Sequence, residues 1–140
     1  MIATTSGFEF LKATLTADNG AGGFMTLITG LFRDIAPTNQ ASPWAIMQAQ
    51  SPPQHVTTQD AYRVMSDGLF VVKVVGRADT DYSTMVAAMK RVDLLLKRTS
   101  GTVADGKVLM CVGEGELSYS EDVEGVIFSH LGEIYRLLLQ

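Results

Sequence analysis

Five carboxylates fall within one short stretch, Glu114, Glu116, Glu121, Asp122 and Glu124. Paired carboxylates hydrolyse glycosides or hold calcium only where they converge in a cleft. This run lacks the Asp-x-Asp-x-Asp-Gly rhythm of a calcium loop, so it reads first as a solvated loop and second as an acidic surface with a purpose. His55 sits in a proline-rich segment, His130 near the C-terminal end, and Cys111 apart from both. No His-x-x-x-His or Cys-x-x-Cys spacing joins them, which argues against zinc. His130 and Glu133 would point to opposite faces of a strand. Cys111, inside the apolar Val108–Val112, behaves as a small hydrophobe. No Gly-x-Ser-x-Gly elbow and no cysteine in an electropositive setting offers a nucleophile. Gly20, Gly22 and Gly23 form a glycine loop without the Gly-Lys-Ser/Thr ending of a phosphate cradle, hence a joint. No catalytic, cofactor-binding or metal-binding residue is expected.

The elements around these residues are easier to read than any site. Leu69–Val75 is an apolar, β-branched run closed by Gly76, which predicts a buried strand. Asp79 and Asp81 then offer an N-cap and negative charge to a helix. Tyr82, Met85, Val86, Met89, Val92, Leu95 and Leu96 share one face of it, and Ser100-Gly101 is the expected stop. An earlier helix carries Phe8, Leu11 and Leu15 on one face. It is expected to open on a Ser6–Glu9 capping box and to end near Asp18–Gly20. Phe24–Phe32 reads as a short helix or turn.

Pro43 favours an extended entry into the alternating Trp44–Gln50. Ser51–Thr58 is expected to be a linker-like loop, and Asp67-Gly68 a hairpin turn after a Tyr62–Met65 strand. Ala104–Gly106 reads as another turn, leading to Val108–Val112. Glu124–Ser129 and Leu131–Gln140 read as two strand pieces, or one long strand bent at Gly132. The predicted class is α+β: a single-layer, mostly antiparallel sheet of four to five strands, with two main helices packed on one face.

The chain has 140 residues, 46% hydrophobic and 19% charged, with net charge −4. That is ordinary globular composition for one domain spanning 1–140. The negative balance argues against gripping nucleic acid through phosphates. The opening residues carry no basic group and no apolar core, so no signal peptide is expected. A lone cysteine fits a reducing compartment. No apolar run reaches the ~20 residues that span a bilayer, so no membrane partner is expected.

Two features hint at partners. Leu69, Val71 and Val75 oppose Phe70, Val72 and Val74, so the strand is apolar on both faces. A second covering layer is implied, either a loop of the same chain or a neighbouring subunit. Asp93 projects within the apolar sector of the helix and must find a partner, either Lys97 one turn on or a group across an interface.

Three stretches taken in order carry a resemblance: Ile35–Pro37 with Pro43-Trp44 opening a strand, Gly68–Gly76 feeding the helix, and Glu124–Arg136 at the end. In order and spacing the chain resembles the phage tail terminator (tail completion) proteins of long-tailed, non-contractile phages and gene transfer particles. The resemblance implies a structural virion protein, assembled in the host cytoplasm and placed at the head–tail junction. It implies a homohexameric ring that caps the tail tube and meets a head or neck connector protein, with no cofactor and no catalytic residues. By the same analogy the apolar second face would mediate ring contacts and the acidic cluster Glu114–Glu124 would face the pore. DNA would pass through that lumen without specific binding. Two rivals remain: another neck or head-completion protein, and a small enzyme or ligand-binding domain using the acidic cluster with His130.

Overall fold

The computed structural model describes residues 3–51, 53–57, 63–104 and 106–140, with backbone alone at 56, 57, 63 and 64. Tyr62, Asp105, Pro52 and Thr58, which entered the expected strand, turn and loop, lie outside the described residues. The order is α1 (Ala3–Thr16), α2 (Phe24–Leu27), β1 (Leu31–Arg33), β2 (Trp44–Ala49), β3 (Gln54–Thr57), β4 (Arg63–Arg77), α3 (Tyr82–Leu96), β5 (Thr99–Val103), β6 (Gly106–Val123) and β7 (Val126–Leu139). The architecture is α+β, with one sheet ordered β1-β2-β4-β7-β6-β5 and β3 hydrogen-bonded to β4. All pairings are antiparallel except β1 with β2.

Among the described residues the sheet has seven strands, a few short ones more than the four to five expected. The additions are short pieces with little apolar signal of their own. β3 forms in the proline-rich segment expected to stay outside the sheet, because β4 continues past β2 and leaves hydrogen-bonding groups for Gln54–Thr57 to take. β5 begins at Thr99, just ahead of the expected helix stop at Ser100-Gly101. α3 stops at Leu96, Arg98 adopts a left-handed φ of 55° and its N–H donates to the Cys111 carbonyl, starting the β5–β6 pairing. The acidic stretch is not a loop either; it is the outer half of β6, paired along β7.

Asp67-Gly68 is no turn. β4 runs straight through it, pairing Asp67 with Leu138 and Gly68 with Leu137. β7 is likewise one strand, and Gly132 is there for proximity. A Cβ on it would stand 2.7 Å from the Lys73 Cβ and 2.8 Å from the Val72 carbonyl oxygen of β4.

β4 is the axis of the packing. Phe70, Val72 and Val74 point into the core, where Ala45, Met47, Tyr135, Leu137 and Leu139 stand on the same sheet face. Phe8, Leu11 and Leu15 of α1 and Met85, Ala88, Val92 and Leu96 of α3 cover that face, so the helices do pack on one side. α1 comes close enough that a Cβ at Gly7 would enter the Phe70 ring, and Phe8 meets Phe70 edge-on at 5.4 Å. α1 begins at Ala3, so Ser6 is a buried residue one turn inside and not a cap; the extra turn buries Ala3 as well. Asp81 stands at the N-cap of α3 without capping it. Its carboxylate accepts from the Arg77 N–H (2.9 Å) and the Ser42 hydroxyl (2.7 Å), tying the start of β2, beside a cis Ser42–Pro43 peptide, to the helix entry.

Asp18 plays the corresponding part for the glycine loop. Its carboxylate takes Arg91 of α3 bidentately at 2.8 and 3.0 Å and the Phe24 N–H at 2.7 Å. The guanidinium and this amide together hold the Asp18 carboxyl below the usual carboxylate range.

Gly132→Ala should lower stability by about 1–3 kcal/mol, since the facing atoms include backbone that cannot swing aside. Gly115→Ala, with nothing within 4 Å of the added carbon, should stay within about 0.5 kcal/mol. Urea midpoints of the two variants against the parent decide it; equal midpoints would mean that β7 shifts freely off β4.

Candidate functional site

Side chains on the face of the sheet away from the helices alternate with those in the core, so β4 presents Leu69, Val71, Lys73 and Val75 there. Val71 and Val75 each expose 1% of their surface and Leu69 is half-buried. The expected cover is therefore supplied within this chain. Trp44 and His130 flank Val75 in register, and Gln48 and Ile134 flank Val71. Trp44 leans on Phe128 at 5.9 Å.

A polar network closes the middle of this face. Lys73 is 8% exposed, and its Nζ donates to the Tyr119 hydroxyl at 2.8 Å. Tyr119 stacks on His130 at 4.3 Å, and His130 Nε2 lies 2.7 Å from Glu121 Oε1. Burial pushes the His130 pKa below its ordinary 6.5; the Glu121 hydrogen bond opposes this and the Lys73 charge adds to it. Toward the other end of β7, Arg136 donates to both Asp67 oxygens at 2.8 Å and to Glu114 at 2.6 Å.

The five acidic residues thus do not converge. Glu114 and Glu121 are taken up by Arg136 and His130 on the outer face. Asp122 Oδ1 accepts from the Gly125 N–H at 2.8 Å, shaping a two-residue turn in which Glu124 and Gly125 have φ of 53° and 84°. Glu116 points to the helix side, directly across from Glu133. With His130 on one face and Glu133 on the other, the pocket that an enzyme built on the acidic cluster and His130 would need is not formed among the described residues.

Glu116 and Glu133 instead rim an open cleft of about 530 Å³ between α3 and the β6–β7 hairpin. Tyr82, Val86, Met89, Leu117 and Leu131 line it, with Lys90 and Asp93 on the helix side. Asp93 is half-buried here, and no ion pair joins it to Lys97 among the described residues. Burial and then the Asp93 carboxylate push the Glu133 carboxyl up, the Tyr135 hydroxyl that donates to it opposes this, and Glu116 adds a smaller push upward. Like charges opposite one another in a sheet destabilise it. Sequence reading weighed Glu133 only as a metal ligand beside His130, and it missed Lys73 and Tyr119. Lys73 was legible as the one charge in an apolar strand, whereas Glu133 gained its role only from β6 and α3 folding against it.

Cys111 is fully buried and its thiol is pushed up to about 12, mainly by burial. No cluster of three or more His, Cys, Asp or Glu suited to a metal occurs among the described residues. No described helix is long and apolar enough to cross a membrane.

By sequence, no family model and no curated protein matches the chain. By structure, it is similar to a chain of the "Virion of native gene transfer agent (GTA) particle", with TM-score 0.67 at 17% identity over 92% of this chain and 90% of that one. At this identity the likeness establishes the fold alone.

His130 should titrate with a midpoint below 6.5, read from its ring protons by NMR; a midpoint above 6.5 would mean that the Glu121 pair outweighs burial. A lowered folded pKa has a definite sign in stability. As pH falls below 6.5 the unfolded chain takes up a proton that the folded one does not, so stability drops until the folded pKa is passed. His130→Gln should flatten that part of the urea-midpoint profile.

Proposed function

We propose that this chain is a structural protein of a phage-type virion, a tail terminator whose copies close into a homohexameric ring. The ring caps the tail tube and joins it to the head or neck, and the protein performs no chemistry. The observation that carries the proposal is the fold likeness across nine-tenths of both chains to a component of a gene transfer agent virion. The motif order favours the tail terminator over other virion proteins: Pro43-Trp44 opening β2, Gly68–Gly76 leading to α3, and Glu124–Arg136 beginning at the last hairpin turn.

The geometry supports a role based on shape. The chemistry-bearing side chains are consumed by each other, as in the Lys73–Tyr119–His130–Glu121 network, and are spread over two faces of the sheet. Exposed apolar groups, by contrast, occur on several elements: Ile35, Tyr82, Leu94, Met110, Val123 and Ile127. Partners under this reading are other copies of the chain, the tail tube protein and a neck connector. DNA crosses the lumen without specific binding. Of the acidic residues, Asp122 and Glu124 at the β6–β7 turn are the ones we assign to the pore. Both are exposed, and neither is in a side-chain ion pair among the described residues. An acidic lumen lets a polyanion with one charge per about 1.7 Å slide, where a basic one would hold it.

Light scattering of the purified protein, alone and with tail tubes, should give six times the 15.1 kDa chain mass, and negative-stain images should show rings on tube ends. A protein that stays monomeric and leaves tube ends bare overturns the proposal. Glu124→Lys should leave ring mass unchanged and reduce DNA delivery by particles carrying it; unchanged delivery removes the lumen assignment alone.

A further inference from the structure

The cleft between α3 and the β6–β7 hairpin has a matching surface elsewhere on the same chain. Its lining is part apolar and part polar, with Val86, Met89 and Leu131 partly buried and Tyr82 52% exposed. Its rim carries Asp93, Glu116 and Glu133 against the single cation Lys90, and no ion pair within the cleft occurs among the described residues. At the C-terminal end of α3, Leu94 is 66% exposed, and Lys97 and Arg98 are exposed beside it. Neither cation is in an ion pair among the described residues. Leu94 and Lys97 are three residues apart at the end of α3, and Arg98 follows just beyond it with a left-handed φ of 55°. The segment is held in shape: the Lys97 N–H donates to the Asp93 carbonyl, and the Arg98 N–H donates to Cys111 of β6.

We propose that this cleft receives the Leu94–Arg98 knob of a second copy, Leu94 entering the apolar part of the lining while Lys97 and Arg98 meet Asp93, Glu116 and Glu133. The inference rests on the ring reading and names the contact that would build the ring. Successive helical residues are rotated by 100°, so Leu94 points about that far away from the Tyr82–Val86–Met89–Asp93 stripe that walls the cleft, and Lys97 follows one turn beyond Asp93. One molecule cannot seat its own Leu94 in its own cleft. Two different surfaces of the same chain therefore meet, which is the head-to-tail contact that closes rings when the rotation permits and makes filaments when it does not. The cations would also relieve the repulsion among three carboxylates that the isolated chain leaves uncompensated.

Charge reversal tests it from both sides. Lys97→Glu/Arg98→Glu removes the knob's charge, and Asp93→Lys/Glu116→Lys reverses the cleft. Each should raise the concentration for half-assembly by at least about tenfold, read by light scattering. Mixed in equal amounts, the two double variants should recover assembly, because wild-type contacts and charge-swapped contacts then alternate around the ring. Thermal melts report whether each variant is folded, and Lys97→Gln/Arg98→Gln serves as a milder version if a reversed form is not. If the parent forms rings and both double variants assemble equally well, the docking proposal falls while the ring reading stands. Loss of tail-tube binding by the Asp93→Lys/Glu116→Lys variant, with its self-assembly intact, would assign the cleft to a basic segment of the tube protein and likewise overturn the proposal. A parent that never leaves the monomer overturns both.

Discussion

The structure depends on β4 being buried on both of its faces. Val72 and Val74 on one side are fully buried, and Val71 and Val75 on the other expose 1% each. A strand in that position must have neighbours on both edges, which β2 with β3 and β7 supply, and a cover on both faces. The helices cover one. Among the described residues the other is closed by aromatic and long charged side chains standing on the sheet itself. Close approach makes this possible: Gly132 brings β7 against Lys73, and Gly7 brings α1 against Phe70.

Closing the outer face with polar side chains imposes strict pairing. Lys73 is buried and needs the Tyr119 hydroxyl; His130 needs Glu121; Arg136 needs Asp67 and Glu114. A buried polar group left unpaired costs more than its bond contributes when made. These contacts fix β6, β7 and β4 relative to one another, and they use two carboxylates that in the sequence look free for other work. Acidity in a sequence is thus a poor guide to acidity of a surface. The half of the cluster that keeps its charge outward is the turn at Asp122 and Glu124, while Glu116 joins the cleft.

The two sides of the molecule differ in how complete they are. On the outer face the charged side chains Lys73, His130 and Arg136 are each hydrogen-bonded, although the Trp44 Nε1 and His130 Nδ1 atoms are buried without a partner among the described residues. Along α3 the charges are not paired in this way: Asp93, Glu116 and Glu133 gather at the cleft, Leu94, Lys97 and Arg98 lie at the end of the helix, and no ion pair joins the two groups among the described residues. Complementary surfaces left apart on one chain are what the proposed contact between copies would join. The chain shares its fold with a chain of a gene transfer agent virion. Shape and unsatisfied surface carry the functional reading, in the absence of any reactive constellation in the sequence.

What the sequence determined by itself is what depends on local periodicity. Leu69–Val75 had to be a buried strand, Met85 to Leu96 a helix with one apolar face, and Trp44–Ala49 an alternating strand, because each carries its pattern within its own few residues. The opposite faces of His130 and Glu133 followed from the strand repeat alone. Tertiary structure decided the rest. β1, β3 and β5 exist because a neighbouring strand offers unpaired backbone groups, an invitation that leaves no mark in Leu31–Arg33, Gln54–Thr57 or Thr99–Val103. Asp67-Gly68 carries a turn signature, yet Arg136, far along the chain, and the Leu138 and Leu137 backbones hold it extended. Glu114–Asp122 reads as solvated loop until β7 lies beside it. Hydrogen bonds and charges reach their partners through space, and only the folded chain says which residues are near.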